Sequence, residues 1–312
     1  MVNWFYPVAS KWCRILSVLA LCGLVSACSF KTTYKFLDWL VPWYVDDYVS
    51  LNDIQERLLD DELARLLNWH QSTELERYAA DMALFREQFA AEQWTAEQWL
   101  AQLDQMRNHQ KRLLAEALPS LAKLARSLSD EQVDELFDNI EQQVAKSRKK
   151  SAERTEQEWL EYWYDNTEEG LEKWLDSLTK PQQNILTQWA TTRPYDEALI
   201  ERQGEFWMAR LREILAQRFE AGLEQDLRDL LLAEPEQTAE GFQDYLAQVR
   251  YSYASLYAQL QQTLTPKQLR YADKSLAKWQ DDFTDLAARY EPKETEHGTT
   301  DARLAEQDSA SR

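Results

Sequence analysis

A short capping element recurs along this chain and fixes where its helices begin. Leu128-Ser129-Asp130-Glu131-Gln132, Leu178-Thr179-Lys180-Pro181-Gln182 and Leu264-Thr265-Pro266-Lys267-Gln268 are full copies. Trp94-Thr95-Ala96-Glu97-Gln98 is close, and Leu51-Asn52-Asp53-Ile54-Gln55 is a looser relative. In such a box the Ser or Thr oxygen accepts from the backbone N–H three residues on, and the Gln side chain returns to the cap's own N–H. The Leu or Trp before the cap sits where a hydrophobic staple begins. Pro266 stands at the first helical position, where proline costs least. The boxes predict helix starts near Asn52, Thr95, Ser129, Thr179 and Thr265. Losing one cap would cost roughly 1 kcal/mol. Their irregular spacing excludes a solenoid of fixed period.

The segments after the boxes carry helical periodicity. Leu75, Tyr78, Met82, Phe85 and Phe89 follow 3-4-3-4 spacing. So do Phe242, Leu246, Val249, Tyr253, Leu256 and Leu260, and the series Leu269, Ala272, Leu276, Trp279, Phe283, Leu286 and Tyr290. Each set makes one apolar stripe on a helix. The chain has only six Gly and eight Pro, so good helix formers run with few interruptions. Strand-like runs of Val, Ile and Thr are missing. The expected fold is all-α, an elongated antiparallel bundle of several helices without a sheet. Breaks are expected at Pro119, at Asn166 to Gly170, at Thr192-Arg193-Pro194 and at Glu234-Pro235.

The first 27 residues read differently. Lys11 and Arg14 precede an apolar run, Ile15 to Leu24, and then comes Val25-Ser26-Ala27-Cys28. A charged start, a short apolar stretch and small residues before a cleavage point mark a secretory segment. The run is shorter than the ~20 residues a spanning helix needs. The expected organisation is a signal peptide over 1–27, an anchor and aromatic juxtamembrane segment over 28–50, a helical domain over 51–290, and a tail over 291–312. The helical part could form two lobes divided near 166–194. From Glu291 onward apolar residues almost vanish, so the tail reads as disordered. Cys13 and Cys22 precede the cut, which leaves Cys28 as the only cysteine of the mature chain.

The formal charge is −19, and removing the signal takes it to about −21. So acidic a chain argues against nucleic acid as a partner, because phosphate binding needs basic surface. It also argues against broad electrostatic adhesion to anionic membranes.

Two resemblances follow from these residues. Val25-Ser26-Ala27-Cys28 resembles the lipobox of bacterial lipoproteins. That implies diacylation of Cys28, cleavage after Ala27, and a membrane partner reached through the acyl chains. Three chains anchor stably where one binds marginally. Ser29 stands where the inner-membrane retention Asp would be, which implies the outer membrane, periplasmic face. The Leu-Thr-x-x-Gln boxes resemble the signature of periplasmic helical chaperones of the Spy/CpxP type, which bind unfolded clients or a sensor domain. The local capping role is itself sufficient cause for the element.

Nearly the whole mature chain also resembles a family of uncharacterised proteobacterial lipoproteins. The closest block is Tyr34-Lys35-Phe36-Leu37-Asp38-Trp39-Leu40-Val41-Pro42-Trp43-Tyr44-Val45-Asp46-Asp47-Tyr48. Gln55 and Trp69-His70-Gln71-Ser72-Thr73-Glu74-Leu75-Glu76-Arg77-Tyr78 come next. The resemblance implies localisation and a helical fold, and no activity.

Four groups of residues are candidates for a site. Trp39, Trp43 and Tyr44 lie in the aromatic segment after the anchor, and either pack on the bundle or meet headgroups or a partner. His70 and Glu74, four apart, share a helix face. Two groups are too few for an ordinary metal site, and His70 continues the Leu59, Leu63, Leu66 stripe. The expected state is a core histidine bonded to a carboxylate. Glu294 and His297 fall in the tail and are discounted. The basic run Lys146, Arg148, Lys149, Lys150 and Arg154 is expected to be a solvated face or to meet the acidic surface. Trp159, Tyr162, Trp163 and Tyr164 are too dense for one helix face to bury, so Trp159 and Trp163 are the best candidates for exposed contact.

No nucleophile with its base, phosphate loop or zinc motif is present in the sequence. The expectation is therefore a non-enzymatic binding protein, without cofactor or metal. Its partner would be an unidentified envelope protein or an unfolded client. A structural or assembly factor with one dedicated partner is the alternative.

Overall fold

The computed structural model describes residues 30–233 and 237–289. Within them the chain is all helix and turn, with no strand. Two short helices open it, α1 (Phe30–Tyr34) and α2 (Leu37–Asp46). Then come α3 (Asp53–Trp69), a π-helical turn at His70–Glu74, α4 (Leu75–Ala91), α5 (Ala96–Ser127) and α6 (Asp130–Ala152). The second half holds α7 (Glu156–Leu175), α8 (Lys180–Thr192), α9 (Glu197–Ala216), α10 (Leu223–Leu231), α11 (Phe242–Gln261) and α12 (Pro266–Ala288).

All five sequence boxes start helices, with the cap and the N3 glutamine bonded as expected. A sixth was missed. Thr155 caps α7, and Glu158 returns to the Thr155 N–H at 2.7 Å. The Thr-x-x-Glu spacing is the same signal with a carboxylate in place of the amide.

Four of the boxes do more than cap. They meet in two pairs, and each pair joins helices distant in sequence. Gln55 and Gln132 exchange amide hydrogen bonds, each Nε2 donating to the other's Oε1 at 2.8 Å. The second Nε2 hydrogen of each goes to a carbonyl two residues before the partner's cap, Ser127 O and Ser50 O, both at 2.7 Å. Gln182 and Gln268 repeat the arrangement, with reciprocal bonds of 3.0 and 2.8 Å. Their outer bonds reach Thr263 O and Ser177 O at 3.1 and 2.8 Å. Each Oε1 accepts from its own cap N–H as well. Every donor and acceptor of these amides is therefore used, which is what burial of a polar side chain requires.

The helices pack antiparallel. Contacts join the start of α4 to the end of α12 (Tyr78 with Phe283) and the end of α4 to its start (Arg86 with Asp273). The start of α5 meets the end of α11 through Trp99 and Gln261, and the end of α5 meets the start of α3 through Gln55 and Ser127. One large core gathers Leu118, Leu128, Leu136, Phe137, Leu211, Leu215, Leu223 and Leu227. A second joins Leu186, Trp189, Leu199, Val249, Tyr253 and Leu256. A third ties α1 to the body through Phe30, Tyr34, Leu37, Leu75, Phe283 and Leu286.

Several expectations are corrected. Pro119 does not break α5. Leu118 and Ala122 beside it are buried, and Arg65 from α3 donates to Glu116 O at 3.1 Å. That packing offsets a penalty of about 3 kcal/mol for an internal proline. Asn166 to Gly170 does not turn either, because Trp163, Tyr164 and Leu171 on both sides of it pack on the same core. Leu269 is exposed despite its place in the stripe, since the adjacent Gln268 takes the buried position. The helix ending at Thr192 is as expected, whereas Glu234-Pro235 and the tail lie outside the described residues.

Truncating one glutamine of a pair strands one backbone carbonyl, the N–H of its own cap and the partner amide, and leaving buried groups unpaired costs about 1–3 kcal/mol each. Gln182→Ala is expected to lose about 3 kcal/mol in urea unfolding, well beyond the loss from Gln98→Ala, whose side chain only caps. A double-mutant cycle with Gln268→Ala should show strong coupling, and additive losses would contradict the paired geometry.

Candidate functional site

The sequence pairing of His70 with Glu74 falls at a place where the helical ladder changes pitch. Leu75 N–H donates to His70 O, five residues back, so the turn carries one residue more than an α turn. A single π turn inside an α-helix is uncommon and needs surrounding contacts to hold it. Here both ends of the turn are buried, with Glu74 fully enclosed and Leu75 beside it.

Glu74 is held by two arginines. Arg77 Nη1 lies 2.7 Å from Oε1, and Arg112 Nε and Nη2 lie 3.0 Å from Oε1 and Oε2. His109 joins the group, with Nδ1 3.7 Å from Glu74 Oε2 and Nε2 2.9 Å from Asp81 Oδ2. Arg112 also contacts the His109 ring. Burial, and then the Arg112 charge, push the His109 pKa down. The bonded Glu74 carboxylate raises that of Arg112. A buried charge is tolerable only when paired and hydrogen-bonded, and this carboxylate is.

His70 differs from expectation. Its Nδ1 meets the Tyr34 hydroxyl at 3.1 Å, not a carboxylate, and its ring lies between Tyr34 and Tyr78. Its Nε2 is buried without a hydrogen-bond partner. Burial dominates and pushes its pKa down to about 4, against a smaller opposing pull from Glu74. The two residues thus share a face, as their spacing indicated, but bond to different partners. Tyr34 and Arg112 come from α1 and α5, which sequence spacing does not connect to this turn.

The aromatic candidates separate into two kinds. Trp39 and Trp43 stack in parallel with 6.2 Å between centroids, and they are 63% and 57% exposed. Every other described tryptophan is buried or half-buried. Phe36 beside them is 55% exposed. Tyr44 faces the other way, against the large core and the Tyr48 hydroxyl. Trp159 and Trp163 also stack, at 5.5 Å, but they are half-buried rather than exposed. Arg154 covers Trp159 and Tyr162 at 4.7 and 4.3 Å, and Arg193 covers Trp163 at 3.5 Å. Cation–π contact with arginine covers the rings that one helix face cannot bury.

Part of the remaining basic run meets acids. Arg148 pairs with Glu201 and Glu205 of α9, and Lys149 with Glu153. Arg218 was not singled out from sequence. It is buried, donates to Leu128 O at 3.1 Å, and pairs with Asp130, locking the α6 box to the end of α9. A shallow cleft of about 150 Å³ between α8 and α11 is lined by Gln188, Trp189, Thr192, Ser252, Ser255 and Gln259. Among the described residues no group of three or more His, Cys, Asp or Glu side chains could hold a metal ion. No described helix is long and apolar enough to cross a membrane. Cys28 lies outside the described residues.

These features define an all-α multi-helix bundle built on paired capping boxes, with a buried ion cluster at a π turn. The chain belongs to a family of unknown function, DUF6279, whose model matches residues 47–245. No curated protein and no solved structure matches it.

Glu74→Ala would leave Arg77 and Arg112 facing a cavity, and losing one partner of a buried ion pair costs about 3–5 kcal/mol. Both arginines retain solvent access, so a loss near the lower end, about 3 kcal/mol, is expected in denaturant unfolding. The pKa of His70 is lower folded than unfolded, so the unfolded state takes up the proton first. Stability should fall as pH drops from about 6.5 towards 4. His70→Gln should reduce that slope, read from melting temperatures across the same pH range.

Proposed function

We propose that this protein is a lipid-anchored, non-enzymatic binding protein facing the periplasm from the outer membrane. The observation carrying this reading is Val25-Ser26-Ala27-Cys28 behind a charged and apolar leader. Ser29, in place of Asp, supports the outer rather than the inner membrane. The body supports a binding role over a catalytic one. Its most enclosed ionisable cluster is neutralised internally by Arg77 and Arg112. The groups that face solvent are stacked rings and charged helix faces.

The Leu-Thr-x-x-Gln boxes link the chain to chaperone-like helical proteins of the envelope, with unfolded polypeptide as the client. A second reading, an assembly factor with one dedicated partner, is favoured by a specific observation. The Trp159–Trp163 cluster is covered by Arg154 and Arg193, so apolar surface for many clients is scarce. Capturing unrelated clients needs a larger exposed apolar patch.

Replacing Cys28 with Ser is expected to move the folded protein from the membrane fraction to the soluble periplasmic fraction. Retention in the outer membrane would overturn the lipoprotein reading. The soluble mature chain should suppress aggregation of several denatured clients if it is a chaperone. Photocrosslinking from Tyr195, beside the covered cluster, should instead give a single dominant adduct if the partner is dedicated.

A further inference from the structure

We propose that the Phe36, Trp39 and Trp43 face of α2 docks in the headgroup zone of the phospholipid bilayer and fixes how the body sits on the membrane. This rests on the reading of Cys28 as the acylated residue. One residue, Ser29, separates Cys28 from Phe30, where the described structure begins, so the two are at most about 7 Å apart at full extension. There is no length here for a flexible tether. α1 is itself clamped to the body. Phe30 and Tyr34 are buried against Trp279, Phe283 and His70, and Lys31 pairs with Asp282 and Asp285 of α12. Acyl chains on Cys28 would therefore bring α1, and α2 directly after it, to the membrane surface.

The face of α2 suits that place. Leu37 and Val41 turn inward and are buried, so the helix is seated. Phe36, Trp39 and Trp43 turn outward, and the two indoles are the only exposed tryptophans among the described residues. Indole rings favour the bilayer–water boundary, where an apolar body and a polar N–H are both satisfied. Every other tryptophan among the described residues is covered at least in part, so leaving two stacked in water is the exception that needs an occupant.

Charge limits the mode. Asp38, Asp46 and Asp47 share the segment, and the mature chain is strongly acidic. Contact must then be shallow and driven by the rings rather than by lipid charge. Zwitterionic bilayers should serve at least as well as anionic ones, the reverse of a polybasic surface.

The test uses the acylated full-length mature protein, reconstituted in phosphatidylcholine vesicles carrying bromines on the acyl chains near the headgroups. Mass spectrometry of the N-terminal peptide reports acylation of Cys28 separately. Bromine quenches only tryptophans close to it. Trp39→Phe/Trp43→Phe should lose most of the quenching, at least threefold, with thermal unfolding unchanged because both rings are exposed. Equal quenching in the variant and the native protein would overturn the proposal. So would adding phosphatidylglycerol and finding that quenching rises and disappears again in high salt, which marks electrostatic adhesion. Quenching lost in both proteins while Cys28 is acylated would show α2 turned away, towards a protein partner or a second copy. An unmodified Cys28 would instead overturn the lipoprotein reading, and this inference with it.

Discussion

Two glutamine pairs, one buried and one part-buried, hold this bundle in register. A helix start normally exposes backbone donors, and a buried start must find partners for them. Here two starts are brought together and solve the problem jointly. Gln55 and Gln132 each satisfy their own cap, each other, and a carbonyl of the other's incoming turn. Gln182 and Gln268 do the same. Because the reciprocal geometry works at one separation only, it sets the relative height of α3 and α6, and of α8 and α12. Leu51 and Leu128 then fall into the first core, and Leu178 into the second.

The charged interior follows from that frame. Antiparallel packing of α3 and α4 against α5 brings Arg112 opposite the π turn, where Glu74 needs a counter-ion. The extra residue of the turn lets one continuous run, Asp53–Ala91, serve two neighbours. Its first part packs on the end of α5 through Leu66 and Leu113, and its second on α12 through Tyr78 and Phe283. Tyr34 closes the cluster from α1, bonded to His70. The segment that leads from the proposed anchor is thus joined to the polar core, and the outward rings of α2 lie on the far side of that joint.

Much of this was legible in the sequence because its causes are local. A capping box involves residues three apart, and an apolar stripe involves residues three and four apart. Both can be read without knowing what lies opposite. The same logic missed Thr155 only because Glu158, not Gln, completes its box. It misjudged Pro119 and Asn166 to Gly170 because a local penalty of about 1–3 kcal/mol is smaller than the packing on either side. The candidate site was half legible. The spacing of His70 and Glu74 showed a shared face, but their bonding partners, Tyr34 and Arg112, come from helices far away in the chain.

The aromatic residues mark the same division. The sequence determined that Trp39 and Trp43 share a helix and that Trp159 and Trp163 do too, since a spacing of four fixes that. Only the tertiary structure decided that the first pair faces water while the second lies beneath Arg154 and Arg193. It likewise decided that the glutamines of four capping boxes meet in pairs. The physical reason is one of range. Helix periodicity and capping are settled within a turn of backbone, whereas burial and side-chain pairing depend on which helix lies opposite, and that is known only once the bundle has closed.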